Sequence, residues 1–257
     1  MSNQDYLKVA IKAAKQSGPI FRKYFGKPKK VISKSKDFAN LVTEVDLKIE
    51  KAIRQSIGKH FPEHIFLGEE TGTNPRANTN DYTWIVDPID GTTNFIHGIP
   101  FCCISIALWH KQKPLVAIVY NPVTNESFTA IAKQGSFKNG KKIKVSGQKY
   151  IKSAYGGFGW GKEIKAAKYF FPFIKKNSQK IRTFGAAAWE ICMVASGIFD
   201  FHLQTKFSLW DFAAAALIVQ EAGGRITDLR GNDIGLKTTS VIASNGKIHK
   251  ELLKIIR

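Results

Sequence analysis

Thr83-Trp84-Ile85-Val86 reads as a buried strand, and it runs straight into Asp87-Pro88-Ile89-Asp90-Gly91-Thr92-Thr93-Asn94-Phe95. No other stretch restricts the fold as tightly. Pro88 disfavours helical geometry at Asp87, so Asp87 and Asp90 cannot be neighbours on a helix face. The expectation is a strand that ends at Val86 in a turn. That turn aims both carboxylates, with or without the Ile89 carbonyl, at one point. Oxygen ligands converging in this way suit a hard divalent cation such as Mg²⁺. Gly91 lets the backbone come close to a ligand, and the amides and hydroxyls that follow can hold phosphate oxygens.

The rest of the chain gives that turn a large folded setting. With 257 residues, 44% of them hydrophobic and 12% aromatic, the sequence can bury a substantial core. The expected organisation is a single unit over residues 1–257, with approximate halves at 1–145 (metal-binding, α+β) and 146–257 (α/β). No apolar run reaches the roughly eighteen residues of a membrane span. Met1-Ser2-Asn3-Gln4-Asp5 lacks the basic start and apolar block of a secretory signal, so the cytoplasm is the expected location. Cys102 and Cys103 are adjacent, and Cys192 falls in a helical pattern. These three cysteines form neither a disulfide framework nor a zinc pattern, and buried free thiols are expected.

Helical spacing of apolar residues predicts a helix over residues 4–25, either continuous or broken near Gly18-Pro19, and a second over 43–59 that opens on a Thr43/Asp46 capping box. Further helices are expected over 163–176, 187–196, 211–222 (with Asp211 at its start) and 248–256. Strands are expected at 65–70, 102–109, 115–120, 127–132 and 241–244, with loops over 27–38 and 71–82. Strands and helices alternate in blocks, which favours layered sheets and helices.

Outside the Asp-Pro-Ile-Asp turn, Glu69, Glu70, Asp211 and Asp46 are candidates to complete an acidic site. If the backbone stays extended at Glu69-Glu70, only one of the two can face it. Each candidate has a simpler alternative: Asp211 and Asp46 as helix caps, Glu69 and Glu70 as solvated loop charges, Asp87 as an ordinary turn aspartate. Yet 39 Lys and Arg stand against 20 Asp and Glu, giving a net charge of +19. In so basic a chain, gathered carboxylates make most sense as a metal cradle. The positive field itself draws anionic partners, from phosphorylated metabolites to nucleic acid. The lysine runs at 27–36 and 133–152 lack interleaved aromatics or a readout motif. A basic nucleic-acid-binding protein built on the same scaffold is therefore the lesser alternative.

Taken together, Asn40-Leu41-Val42-Thr43-Glu44-Val45-Asp46, Gly68-Glu69-Glu70, Asp87 to Phe95, Trp210-Asp211 and Glu221-Ala222-Gly223-Gly224 resemble, in order, the motifs of the inositol monophosphatase family. The resemblance implies a layered αβαβα sugar phosphatase fold, a homodimer, sensitivity to lithium, and two to three Mg²⁺ ions. Glu69, Asp87 and the Ile89 carbonyl would hold the first ion, and Asp87, Asp90 and Asp211 the second. A weaker third would lie near Glu69, with Glu70 or waters behind it. Thr92 and Asp46, with Glu69, would activate the attacking water, and the Gly91 and Thr92 amides would bind phosphate. Gly185-Ala186-Ala187 looks like the sugar-contacting loop, and Asp90 and Asp211 also border the substrate. Ser33–Phe38 would be a flap over the site.

The expected substrate is a phosphate monoester of inositol or a related sugar. The alternatives within the fold are fructose 1,6-bisphosphate and NADP-type nucleotides. One position departs from the family pattern. Inositol-specific members usually carry a glutamate six residues before the Trp-Asp pair, where this chain has Gln204. Glutamine donates as well as accepts and carries no charge, so broader or doubly phosphorylated substrates gain weight. The intact acidic set argues against a silent relative.

Overall fold

The computed structural model describes residues 1–28, 30–33, 41–73, 82–159, 168, 171, 172, 174, 175 and 180–256. Helix α1 (Asn3–Tyr24) starts on a capping box between Ser2 and Asp5, and its buried stripe includes Tyr6, Ala10, Ala14, Ser17 and Phe21. It passes unbroken through Pro19. A short hairpin, β1 (Val31–Ser33) and β2 (Leu41–Thr43), leads into α2 (Glu44–Gly58), capped by Thr43 and Asp46 as their spacing predicts.

The strands β3 (Ile65–Gly68), β4 (Gly72–Thr73), β5 (Thr83–Asp90), β6 (Cys103–His110), β7 (Lys113–Asn121), β8 (Glu126–Ile131), β9 (Gly135–Lys138) and β10 (Lys141–Lys142) form one sheet in the order β10-β9-β8-β7-β6-β5-β3-β4. Among the described residues of this sheet, only β3 and β5 pair in parallel. Alternation assigns the two faces. Trp84, Val86, Ile104, Ile106, Leu108 and Ile118 pack with α1 and α2, whereas Ile85, Ala107, Trp109, Ala117 and Val119 face the other way.

On that second face lie α4 (Ala187–Ala195) and α5 (Ala213–Glu221), reached after a short α3 (Thr92–His97). Both are apolar nearly all round, as helices pressed between two sheets must be, and the alanines of α5 allow close approach. Beyond them is a five-stranded sheet of β11 (Gly156–Gly159), β12 (Ile181–Arg182), β13 (Phe201–Thr205), β14 (Arg225–Thr227) and β15 (Ser240–Ser244), ordered β12-β11-β13-β15-β14. Its outer face packs Phe158, Phe201, Leu203 and Ile242 against Ile248, Leu252 and Ile255 of the terminal helix, α6 (His249–Ile256), and its start. The layers are therefore helix, sheet, helix, sheet, helix.

Several expectations need correcting. Strand β5 does not stop at Val86 but continues to Asp90. Against β6, Asp87 pairs with Ser105 and Asp90 with Cys103, so β5 carries one extra residue there. Pro88, with no N–H to give to a ladder, is tolerated within that bulge. The helix expected to open at Asp211 begins at Ala213, and Asp211 instead closes a 3₁₀ turn, Leu209–Asp211, capped by Ser208. Most of the helix expected at 163–176 and of the loop at 71–82, and all of the expected flap except Ser33, lie outside the described residues. Within the described residues no helix is long and apolar enough to cross a membrane.

Candidate active site

The parallel pairing of β3 and β5 sets Gly68 beside Val86, and the Glu69 amide donates to the Val86 carbonyl at 3.1 Å. Glu69 is thereby delivered next to Asp87. The 3₁₀ turn before α5 packs on β5 and β6, with Ser105 Oγ donating to the Trp210 carbonyl at 3.4 Å, and it supplies Asp211. One carboxylate oxygen from each of Glu69, Asp87 and Asp211 lies within 4.8 Å of the other two. Three strands' worth of backbone register has brought together acids up to 142 positions apart (211 − 69). Glu70 is not in this group, in keeping with one of the pair facing away.

Glu50 explains why the turn after β3 holds this shape. Its buried carboxylate accepts from the Glu70 amide at 2.8 Å, the Thr71 amide at 3.1 Å and the Thr71 hydroxyl at 2.5 Å. Sequence reading passed it over. The signal was available, because Glu50 stands at core spacing with Ile53 and Ile57 in α2.

Asp90 does not join the trio of converging oxygens. Its Oδ1 accepts from the Ala187 amide at 3.0 Å, and its Oδ2 from the Ala188 amide at 2.8 Å and the Trp189 amide at 3.3 Å. It thus serves as the cap of α4, which has no side-chain cap of its own. Oδ1, with the Ala187 amide as its donor, retains further acceptor capacity. The Cys103 thiol, buried and free like Cys102 and Cys192, also donates to Oδ2 at 3.4 Å.

Around these acids the backbone bends sharply. Gly91 takes φ +84°, and a Cβ there would come within 2.9 Å of the Phe101 carbonyl oxygen. Thr92 Oγ1 lies 3.0 Å from the Ile89 carbonyl oxygen and 3.5 Å from Asp46 Oδ1. Asp46 uses its other oxygen for the α2 cap, 2.8 Å from the Thr43 amide. Asn94, a second residue not singled out from sequence, donates to the Phe101 carbonyl at 2.7 Å and the Phe184 carbonyl at 2.5 Å, tying the 184–187 loop to α3.

Burial dominates the electrostatics. It pushes Asp46 up to about 6 and Asp90 up to about 7, the latter against the pull of the Trp189, Ala187 and Ala188 amides and the Cys103 thiol. Asp87 is raised well above the ordinary range, first by burial and then by Glu69, Asp90, Asp211 and Asp46. Carboxylates so placed are relieved by a cation. The all-oxygen donor set fits a hard divalent ion.

These groups border a cleft of about 870 Å³ lined by Glu69, Asp90, Asp211, Gly185, Ala186, Ala187 and Gln204, among others. Asp46, Asp87 and Ile89 are buried behind it. Under the 184–187 loop, Glu190 Oε1 accepts from the Phe184 amide at 3.2 Å and the Gly185 amide at 3.0 Å. Its Oε2 lies 3.6 Å from His202 Nδ1, and His202 Nε2 lies 3.1 Å from Gln204 Oε1. Glu190 and His202 also escaped sequence reading, although Glu190 is the lone charge in an apolar helix. A larger groove, of about 1290 Å³, runs along Asp228–Ser240 and the end of α6, and none of the acidic trio lines it.

The sequence matches the inositol monophosphatase family over residues 2–257. It is 39% identical to inositol monophosphatase 2 of Solanum lycopersicum, covering 95% of both chains. It is 35% identical to Nus factor SuhB of Pseudomonas aeruginosa, covering 99% of this chain and 96% of that one. Among solved structures, the Thermotoga maritima IMPase superposes with a TM-score of 0.88 at 32% identity, covering 98% of this chain and 96% of that one. The extragenic suppressor protein suhB of Bartonella henselae superposes with a TM-score of 0.91 at 32% identity, covering 98% of each.

Proposed function

The chain belongs to the inositol monophosphatase family, and from that premise we propose that it hydrolyses the phosphate monoester of an inositol or related sugar with the help of Mg²⁺. The observation that carries this reading is the convergence of Glu69, Asp87 and Asp211 oxygens beside a sugar-sized cleft. We assign Glu69, Asp87, the Ile89 carbonyl, Asp90 and Asp211 as ligands for two to three ions, with Glu70 in support. When bound, such ions neutralise the phosphate's charge, lower the pKa of a water and stabilise the leaving alkoxide.

The chain's own groups do the rest. Thr92 Oγ1 sits between the Ile89 carbonyl and Asp46 Oδ1, so its hydroxyl can orient a water and pass a proton towards Asp46. Asp46 is fixed for this by the α2 cap on its other oxygen. The Gly91 and Thr92 amides are assigned to phosphate oxygens, and the positive φ of Gly91 lets the backbone approach them. Gly185, Ala186, Ala187 and Gln204 are assigned to the sugar, with the loop steadied by Asn94 and Glu190. We propose a homodimer as well.

Phosphate release from inositol 1-phosphate, fructose 1,6-bisphosphate, glycerol phosphates and nucleotide phosphates, each with and without Mg²⁺, tests the reading. Turnover should require Mg²⁺, fall in lithium and disappear in Asp90→Asn. Full activity without a divalent ion, or in Asp90→Asn, overturns the assignment.

A further inference from the structure

Glu190 and His202 are 1% and 0% exposed, on adjoining elements α4 and β13, and they meet directly behind Gln204. Two of their polar atoms, Glu190 Oε2 and His202 Nδ1, have no hydrogen-bond partner and face each other across 3.6 Å. The imidazole's other nitrogen contacts an oxygen, Gln204 Oε1, at 3.1 Å. An amide oxygen only accepts, so Nε2 carries the proton and Nδ1 of the neutral ring is a bare lone pair. Two lone pairs facing each other in a buried pocket would repel. The repulsion is relieved when Oε2 carries a proton, which removes the charge that would face the Nδ1 lone pair.

His202 Nε2–H then donates to Gln204 Oε1, while the neutral Glu190 carboxyl faces Nδ1 across 3.6 Å, beyond hydrogen-bond length. Burial favours the same neutral forms, holding Glu190 near 8 and His202 near 4. The reverse arrangement, with an ionised Glu190 accepting from Nδ1–H, would bury a second negative charge beside Asp90. From below, Gly159 of β11 pairs with Gln204, and a Cβ there would come within 1.8 Å of Gln204 Oε1. The amide is therefore held flat on the strand by a glycine and at its oxygen by a histidine. Its NH₂ is left for the cleft that Gln204 lines.

We propose that Glu190 and His202 are positioning residues that lock Gln204 with its carbonyl inward and its NH₂ in the cleft. The enzyme then favours sugar phosphates that bring an anionic oxygen, as a second phosphate does, to that position. The inference rests on the phosphatase reading above. An amide N–H donating to a charged oxygen makes the stronger class of hydrogen bond, while a ring hydroxyl that must donate finds no acceptor there. Lys206, lining the same cleft, adds positive charge to that side.

The test uses the full-length, Mg²⁺-loaded chain and compares kcat/KM for a hexose bisphosphate with that for inositol 1-phosphate. Wild type should favour the bisphosphate. Gln204→Glu should reverse the preference, moving the ratio by about tenfold or more. Glu190→Gln, which keeps an uncharged group of the same shape against Nδ1, should keep the wild-type ratio. His202→Phe should collapse it, chiefly through KM for the bisphosphate. ¹⁵N NMR of the imidazole should show the Nε2–H tautomer, a readout that needs no turnover. A proton on Nδ1, loss of preference in a folded Glu190→Gln, or an unmoved ratio in Gln204→Glu each overturns the proposal. Failure of wild type to hydrolyse any ester would instead strike at the phosphatase reading.

Discussion

Asp87 accepts a backbone hydrogen bond from the Ile89 amide at 2.9 Å, but it is buried and faces the negative fields of Glu69, Asp90, Asp211 and Asp46. Its ionised form is therefore destabilised in the metal-free protein, and its removal should have opposite effects on stability and function. Asp87→Asn should raise the unfolding free energy of the metal-free protein, because it removes a buried charge that its surroundings disfavour. It should also lower kcat by roughly a thousandfold, since Lewis-acid stabilisation is worth several kcal/mol. Urea titration in chelator and steady-state phosphate release check the two halves. Glu190 gives a pH prediction of defined sign. Its folded pKa, about 8, lies above the ordinary 4.5, so the folded state holds a proton that the unfolded state gives up. The stability this confers is complete below about pH 4.5 and drains away as pH rises towards 8. Glu190→Gln cannot lose it, so its urea midpoint should gain on wild type between pH 5 and pH 8. A constant difference across that window would mean that Glu190 titrates alike in both states.

Between β5 and α3, the element that matters is the single glycine at which the strand becomes a helix. Gly91→Ala places a side chain at φ +84° with 2.9 Å to the Phe101 carbonyl oxygen and 3.1 Å to Ala186 Cβ. Left-handed backbone at a non-glycine residue costs about 1–3 kcal/mol, and the crowding adds to it. Thermal unfolding should show that loss, together with a drop in turnover larger than the stability change explains, because the 184–187 loop must shift. The same region shows what a sequence can and cannot disclose. Asp87 and Asp90 stood out as candidates because proline, glycine and two acids leave few local options, and of the two only Asp87 converges with Glu69 and Asp211. That the strand runs on through Pro88 was not legible, since the bulge depends on the register of β6. Asp211 was legible as a capping acid, but the cap belongs to the Ser208 turn, and nothing local separates a 3₁₀ turn from a helix start. Asp90's role at α4 depends on amides 97 to 99 positions away. Strand β11 was missed because Gly156-Gly157-Phe158-Gly159 looks like a loop. Its glycines are there because Phe201, His202 and Gln204 of β13 occupy the space where Cβ atoms would go.

At the scale of the whole molecule, the acidic trio lies on a seam. Glu69 directly follows β3 and Asp87 lies in β5 of the large sheet, built from residues 65–142, while Asp211 comes from the turn that leads into the helix layer between the sheets. An ion held by all three clamps those layers together, and binding free energy confined to the folded state becomes stability. At a hundredfold excess over its Kd such an ion adds about 2.7 kcal/mol. For a chain of this size each kcal/mol moves the melting temperature by about 2–4 °C, so Mg²⁺ should raise it by roughly 5–10 °C. The net charge of +19 complicates the measurement, because any salt screens self-repulsion and can stabilise the fold without entering the site. The quantity to compare is therefore the shift in MgCl₂ minus the shift in NaCl of equal ionic strength. Wild type should keep a clear excess in that difference, whereas Asp87→Asn and Asp211→Asn should lose most of it and retain only the screening common to both salts. Equal shifts for wild type in the two salts would mean that Mg²⁺ acts on the surface charge, leaving the carboxylate convergence without the cation to which its geometry is suited.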